Sequence, residues 1–88
     1  MAPDLIDRVK AKAPLHNPRR VLALVLFDYT PTEIRLMTEN KFAYEVEVAR
    51  RTIDMMSVER AERLVALAEF AERKGTPLKE IVHFGEVA

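Results

Sequence analysis

The sequence has no cysteine, no tryptophan and only two glycines among its 88 residues. Without cysteine, disulfide bonds, thiol catalysis and cysteine-based zinc sites are excluded. Gly75 and Gly85 both stand where helices are expected to end, so no glycine-rich loop is available to hold a phosphate. The single serine, Ser57, precedes a predicted helix and is expected to cap it rather than to act as a nucleophile. We therefore expect no catalytic residues and no cofactor.

Long apolar runs are also missing, and no leader segment is expected. No apolar run approaches the roughly 18 residues that a membrane-spanning helix needs. The start, Met1–Asp4, lacks the basic and then apolar order of a signal peptide. We therefore expect a cytoplasmic protein that does not contact a membrane.

The charged residues show no excess of either sign, since 14 basic residues balance 14 acidic ones. Zero net charge weighs against a dedicated nucleic-acid binder, whose surface is usually basic. Arginine outnumbers lysine, glutamine is absent and asparagine is rare. This composition fits either a heat-adapted source or a GC-rich genome.

The most informative segment that is present is Val21–Phe27, seven apolar residues between Arg20 and Asp28. It is rich in Val and Leu and holds no Gly or Pro, which predicts a strand buried on both faces. Because a chain this short has little material to cover both faces of a sheet, we predict self-association as a homodimer or higher oligomer. The predicted interface residues are Val21, Ala23, Val25, Phe27 and Phe70. For Phe70, as for Met55-Met56, burial in the core is favoured, and contact with a partner is the alternative.

The segment after this run favours a β-hairpin. The apolar residues at 42, 44, 46 and 48 alternate with Ala or Glu, a period of two. A turn over residues 38–41 would separate this strand from one over residues 33–37. Thr30-Pro31-Thr32-Glu33 indicates the opposite, because a cap, a proline and a glutamate in this order are typical of a helix start. Residues 31–49 are thus a hairpin or partly helical, and we favour the hairpin.

Three helices are predicted outside this region. The first covers residues 3–13, the second begins at Ser57 and ends at Gly75, and the third follows Pro77 and ends near Gly85. Leu78, Ile81 and Val82 would face inward on the third helix.

An apolar fraction of 49% with 32% charged residues predicts a globular chain. The expected fold class is α+β, with a short N-terminal helix, a three-stranded antiparallel sheet and two C-terminal helices packed on one sheet face. We divide the chain into an arm over residues 1–18, formed by the first helix and a proline loop, and a single α+β domain over residues 19–88.

Positive charge is concentrated in the arm, since residues 1–20 carry five basic and two acidic residues. Such an arm either contacts nucleic acid or an acidic partner, or packs on the acidic remainder of the chain, and we favour the packing. A second small basic cluster follows the last predicted strand. The candidate nucleic-acid contacts are Arg8, Lys10, Lys12, Arg19, Arg20, Arg50 and Arg51.

The segment Ala66–Val82 places a glycine turn between two helices, in the order helix, Gly75-Thr76-Pro77, helix. It is similar to the helix-turn-helix half of ribbon-helix-helix repressors. The resemblance implies a DNA-binding regulator whose exposed strand side chains read base edges in the major groove. In this sequence those side chains would be Glu45 and Glu47, whose carboxylates repel phosphate.

The remaining candidates for chemistry are His16, His83, Tyr29, Tyr44 and the pair Glu45 and Glu47. Neither histidine has the spacing of a metal site, so we expect no metal. We predict a small non-enzymatic interaction or regulatory module that self-associates through its sheet. A DNA-binding regulator is the first alternative. The second is a small enzyme subunit with a site at a subunit junction, built from Tyr29, Tyr44, His16 and nearby carboxylates.

Overall fold

The structure is a computed structural model that describes residues 4–81. These residues form helices and connecting turns and contain no strand, so the prediction of an α+β fold with a three-stranded sheet is wrong. The helices are α1 (Leu5–Lys12), α2 (Pro18–Asp28), α3 (Pro31–Arg35), α4 (Glu39–Asp54) and α5 (Val58–Lys74). A further helical turn covers residues 78–81.

The apolar run Val21–Phe27, predicted as a strand, is the body of α2. The side-chain oxygen of Asn17 accepts hydrogen bonds from the backbone N–H of Arg19 at 3.0 Å and of Arg20 at 3.4 Å, and Pro18 takes the first helical position. Proline suits this position because its missing N–H would have no partner there. α2 packs against α5, α4 and α1. A helix enclosed by three others carries apolar residues all round, which is the pattern that also predicts a fully buried strand.

The predicted hairpin over residues 31–49 is likewise replaced by helices. Thr30 and Glu33 form a capping box at the start of α3: the N–H of Glu33 donates to Oγ1 of Thr30 at 3.2 Å, and the N–H of Thr30 donates to Oε1 of Glu33 at 2.9 Å. Thr38 caps α4 by accepting the N–H of Lys41 at 3.2 Å. These caps supply partners for N–H groups that a helix start leaves unpaired.

The alternation that predicted a strand is divided between two faces of α4. Phe42 and Val46 lie one turn apart and are 0% and 1% exposed. Tyr44 and Val48, two residues further along in each case, are rotated by about 200° and are 65% and 43% exposed. Residues that would share one face of a strand therefore lie on opposite sides of this helix.

The long C-terminal helix agrees with its sequence signals. The hydroxyl of Ser57 accepts the N–H of Arg60 at 3.2 Å at the start of α5. The helix ends at Gly75, whose φ of 72° lies in the left-handed region that glycine adopts without steric cost. Val82 and Gly85, predicted for the last helix, lie outside the described residues.

The core surrounds α2 and includes the predicted N-terminal arm. α1 lies within the helix predicted over residues 3–13, and its Leu5 and Val9 belong to the core cluster. Among residues 4–81 no polar or charged side chain is buried, so the core is apolar throughout. The largest fully buried side chains are Phe42, Leu5, Ile34, Leu78, Val9, Val21 and Val46.

Candidate interaction surface

The side of α4 opposite the core carries a row of exposed side chains that we call the outer α4 face: Tyr44, Val48, Arg51 and Met55. Tyr44, Val48 and Met55 are 65%, 43% and 83% exposed, and Met55 directly follows the last turn of α4. Their spacing of three and four residues aligns them along one side of a helix. α4 therefore has two apolar faces, one covered by the chain and one open to solvent.

Charged side chains border the outer α4 face. Arg50 donates through Nε and Nη2 to the two carboxylate oxygens of Glu47, at 2.7 Å and 2.6 Å. Arg51 donates through Nε to the same carboxylate at 3.2 Å. The hydrogen bonds from Arg50 are the main reason that the pKa of Glu47 lies below its ordinary value. Glu47 is thus held ionised beside the apolar row, with both arginines directed toward it.

A second polar cluster flanks the N-terminal part of α4. The hydroxyl of Tyr29 donates to Oε2 of Glu45 at 3.3 Å. Nζ of Lys41 donates to the Tyr29 hydroxyl at 3.1 Å and to Glu45 at 3.4 Å. The hydrogen bond to Tyr29, followed by the one to Glu45, raises the pKa of Lys41. Lys41 therefore stays protonated near neutral pH and is unsuited to act as a general base.

His16, in the loop between α1 and α2, contacts the C-terminal end of α4. Its Nε2 is 3.0 Å from Oδ1 of Asp54. Asp54 is nine positions after Glu45, a distance of about 14 Å along the helix axis. Tyr44 is exposed on the outer α4 face, outside the hydrogen bonds of both clusters. The structure therefore does not bring His16 and Tyr29 together and does not bond Tyr44 to either, and His83 lies outside the described residues.

The basic residues considered for nucleic-acid contact are mostly engaged within the chain. Arg8 and Lys12 of α1 pair with Glu39 of α4 at 3.0 Å and 3.6 Å. These pairs join the basic arm to the rest of the chain, in agreement with the favoured packing. The corresponding pairs between α2 and α5 are Arg19–Glu69 at 3.3 Å and Arg20–Glu62 at 2.8 Å, and Arg50 and Arg51 share Glu47 as described above. Lys10 is exposed on α1.

The predicted interface residues are distributed differently from expectation. Val21, Ala23 and Val25 lie inside the core of a single chain, and Phe27 is half-buried against it. Phe70 is 41% exposed, with Nζ of Lys74 5.4 Å from the centre of its ring. The surface available to a partner therefore includes Phe70 but not the core valines.

The outer α4 face was not predicted, because residues 42–48 were assigned to a strand. The signal was present as the spacing of residues 44, 48, 51 and 55, which advances by four, three and four. A second row, formed by Phe42, Val46 and Ala49, has the same helical spacing and is buried. Two rows of this kind in one segment predict a helix with two apolar sides.

Other sites offer less. A groove of about 190 Å³ opens between α1, α2 and α5 over an apolar floor that includes Leu22, Leu26 and Val65. No three side chains among residues 4–81 are grouped as metal ligands. None of the helices in this part of the chain combines the length and apolar character needed to cross a membrane.

Comparisons with protein-family models, with curated proteins and with solved structures found no match. The similarity to ribbon-helix-helix repressors therefore depends on the helix-turn-helix segment alone. The strand with which that family reads DNA is not formed in residues 4–81, where Glu45 and Glu47 lie on α4.

Proposed function

We propose that the protein is a small non-enzymatic interaction module that self-associates, and that its contact surface is the outer α4 face. The observation that carries this proposal is the alignment of Tyr44, Val48 and Met55 on the side of α4 that residues 4–81 leave exposed. Single exposed apolar residues are common on proteins, whereas contiguous apolar patches are typical of sites that contact other macromolecules. We interpret the outer α4 face as such a patch.

Burial of these side chains supplies the energy for association. Apolar surface removed from water contributes about 25 cal/mol per Å², and aromatic and methionine side chains are enriched in protein interfaces. The row extends over residues 44–55, or about 17 Å along the helix axis. Because this is small for a stable interface, we expect a weak complex that exchanges readily.

The alternatives find less support. Six of the seven basic residues considered for nucleic acid already pair with carboxylates of the chain. The histidine and tyrosines of the proposed enzyme site lie in separate places. A cytoplasmic location remains a prediction from the sequence.

Sedimentation equilibrium from micromolar to millimolar concentration tests the proposal. We expect the mass of the unchanged protein to rise with concentration and that of Val48→Glu to stay at the monomer value. Ala66→Glu is the control, because Ala66 is exposed on α5, a helix outside the proposed contact, and glutamate is a good helix former. A monomer at every concentration would refute self-association. Equal loss in both variants would place the contact elsewhere.

A further inference from the structure

We infer that the outer α4 face binds the same face of a second copy of this chain, with the two α4 helices antiparallel and a twofold axis between Val48 and Arg51. This inference rests on the proposed function and adds the orientation and register of the pair. Both copies then use the same surface, so the assembly closes as a dimer.

The spacing of the row is that of a coiled-coil seam. Steps of four, three and four residues place Tyr44 and Arg51 at d positions and Val48 and Met55 at a positions of a heptad. In an antiparallel pair, a positions of one helix face d positions of the other. Tyr44 then lies opposite Met55 of the second copy, and Val48 lies opposite Arg51 of the second copy.

Each layer brings together compatible side chains. Methionine sulfur makes favourable contacts with aromatic rings, which suits the layer of Tyr44 and Met55. In the other layer the aliphatic stem of Arg51 covers Val48, while its guanidinium stays outside the apolar contact. The hydrogen bond from Nε of Arg51 to Glu47 at 3.2 Å already directs the guanidinium to the edge of the row.

Charge favours the antiparallel orientation. A parallel pair would place Arg51 against Arg51 in one layer of the seam, where like charges repel. The antiparallel pair instead gives each Arg51 an apolar neighbour, Val48 of the other copy, and leaves its Nε on Glu47 of its own chain at 3.2 Å.

The charge of the whole chain does not oppose the contact. The formal net charge is zero at pH 7, so two copies approach without the long-range repulsion that keeps highly charged proteins apart. The orientation is therefore decided by the local charges of α4 and by the apolar layers.

Cysteine trapping tests the orientation, and the absence of native cysteine makes each introduced thiol unique. Tyr44→Cys and Met55→Cys are prepared separately, mixed, and oxidised mildly, and the disulfide products are identified by mass. A disulfide needs Cα atoms within about 7 Å. In the antiparallel pair, equivalent copies of residue 44 lie about 17 Å apart along the axis, whereas residue 44 of one copy faces residue 55 of the other.

We expect the mixed disulfide between the two variants to exceed its statistical share and each variant alone to cross-link poorly. Ala66→Cys, at an exposed position of α5, measures cross-linking by random collision. Tyr44→Cys cross-linking to itself faster than this control, with little mixed product, would overturn the antiparallel inference and leave self-association intact. Cross-linking at the control level in a protein that sediments as a dimer would overturn the inference by placing the contact elsewhere. A monomer in sedimentation would refute the proposed function as well.

Discussion

The inner and outer faces of α4 differ in what covers them. Val46 and Val48 are both valines and lie two positions apart on one helix, yet Val46 is buried in the core and Val48 is exposed to solvent. The same holds for the aromatic pair, since the ring of Phe42 is enclosed and that of Tyr44 is exposed. The apolar residues of this alternating segment therefore have two roles: those of the inner face stabilise the fold, and those of the outer face are available for association.

The largest expected effect is that of Phe42→Ala. Phe42 is fully buried, and the guanidinium carbon of Arg8 lies 4.2 Å from the centre of its ring. We expect a loss of about 3–5 kcal/mol in the free energy of unfolding, the usual cost of truncating a buried aromatic residue. Tyr44→Ala should change the stability of the monomer by no more than about 0.5 kcal/mol. Urea unfolding at low protein concentration measures both, and similar losses would contradict the division into two faces.

The sharpest form of the comparison is Val46→Ala against Val48→Ala, which removes the same atoms from the two faces. We expect Val46→Ala to cost about 2 kcal/mol through lost burial and a residual cavity. Val48→Ala should leave unfolding of the monomer nearly unchanged and weaken self-association instead. Denaturation measures the stability of the two variants, and sedimentation measures their self-association. A larger stability loss at position 48 would reverse the assignment.

A smaller effect is expected from Asn17→Ala, which removes the cap of α2. The side chain of Asn17 accepts two backbone hydrogen bonds at the helix start, so its loss should cost about 1 kcal/mol. Asn40→Ala is the matched control, because Asn40 is exposed inside the first turn of α4, where alanine is the better helix former. Thermal unfolding compares the variants. If Asn17→Ala destabilised the protein no more than the control, the cap at Asn17 would not explain why Val21–Phe27 forms a helix.

The smallest effect is expected for Glu33, which lies in α3 and so belongs to neither face of α4. Accepting the N–H of Thr30 lowers the pKa of Glu33 in the folded chain. The ionised carboxylate therefore stabilises the fold at pH above its ordinary pKa, and this contribution is lost as the pH falls through the lowered value. The difference in Tm between the native protein and Glu33→Gln should be greatest near neutral pH and shrink in acid. A difference independent of pH would argue against the capping box.

The helices with strong local signals were predictable from the sequence. Ser57 and Gly75 mark both ends of α5, and the capping box of Thr30 and Glu33 was recognised as a helix start. The hairpin was nevertheless favoured for residues 31–49, because the alternation beyond residue 41 outweighed this short signal. Asn17-Pro18 is an equally good helix start, and its significance was missed beside the apolar run that follows.

The candidate surface was less predictable than the helices. A row of apolar residues such as Tyr44, Val48 and Met55 is compatible with burial in the core and also with contact with a partner. For Met55, burial in the core was the favoured prediction. Val21, Ala23 and Val25 were predicted as interface residues. Their burial within a single chain could be predicted only from the fact that three helices enclose α2. Enclosure of this kind depends on contacts between residues distant in the chain, which local patterns do not contain.

The absence of cysteine and the apolar content follow directly from the composition. The caps and the glycine that ends α5 act over a few neighbouring residues, so the sequence also marks where helices start and stop. The enclosure of α2 and the covering of one face of α4 depend instead on contacts between helices that are distant in the sequence. A helix packed against its neighbours on one side leaves its opposite side in solvent, and that packing determines whether an apolar residue of α4 stabilises the monomer or remains free to meet another copy.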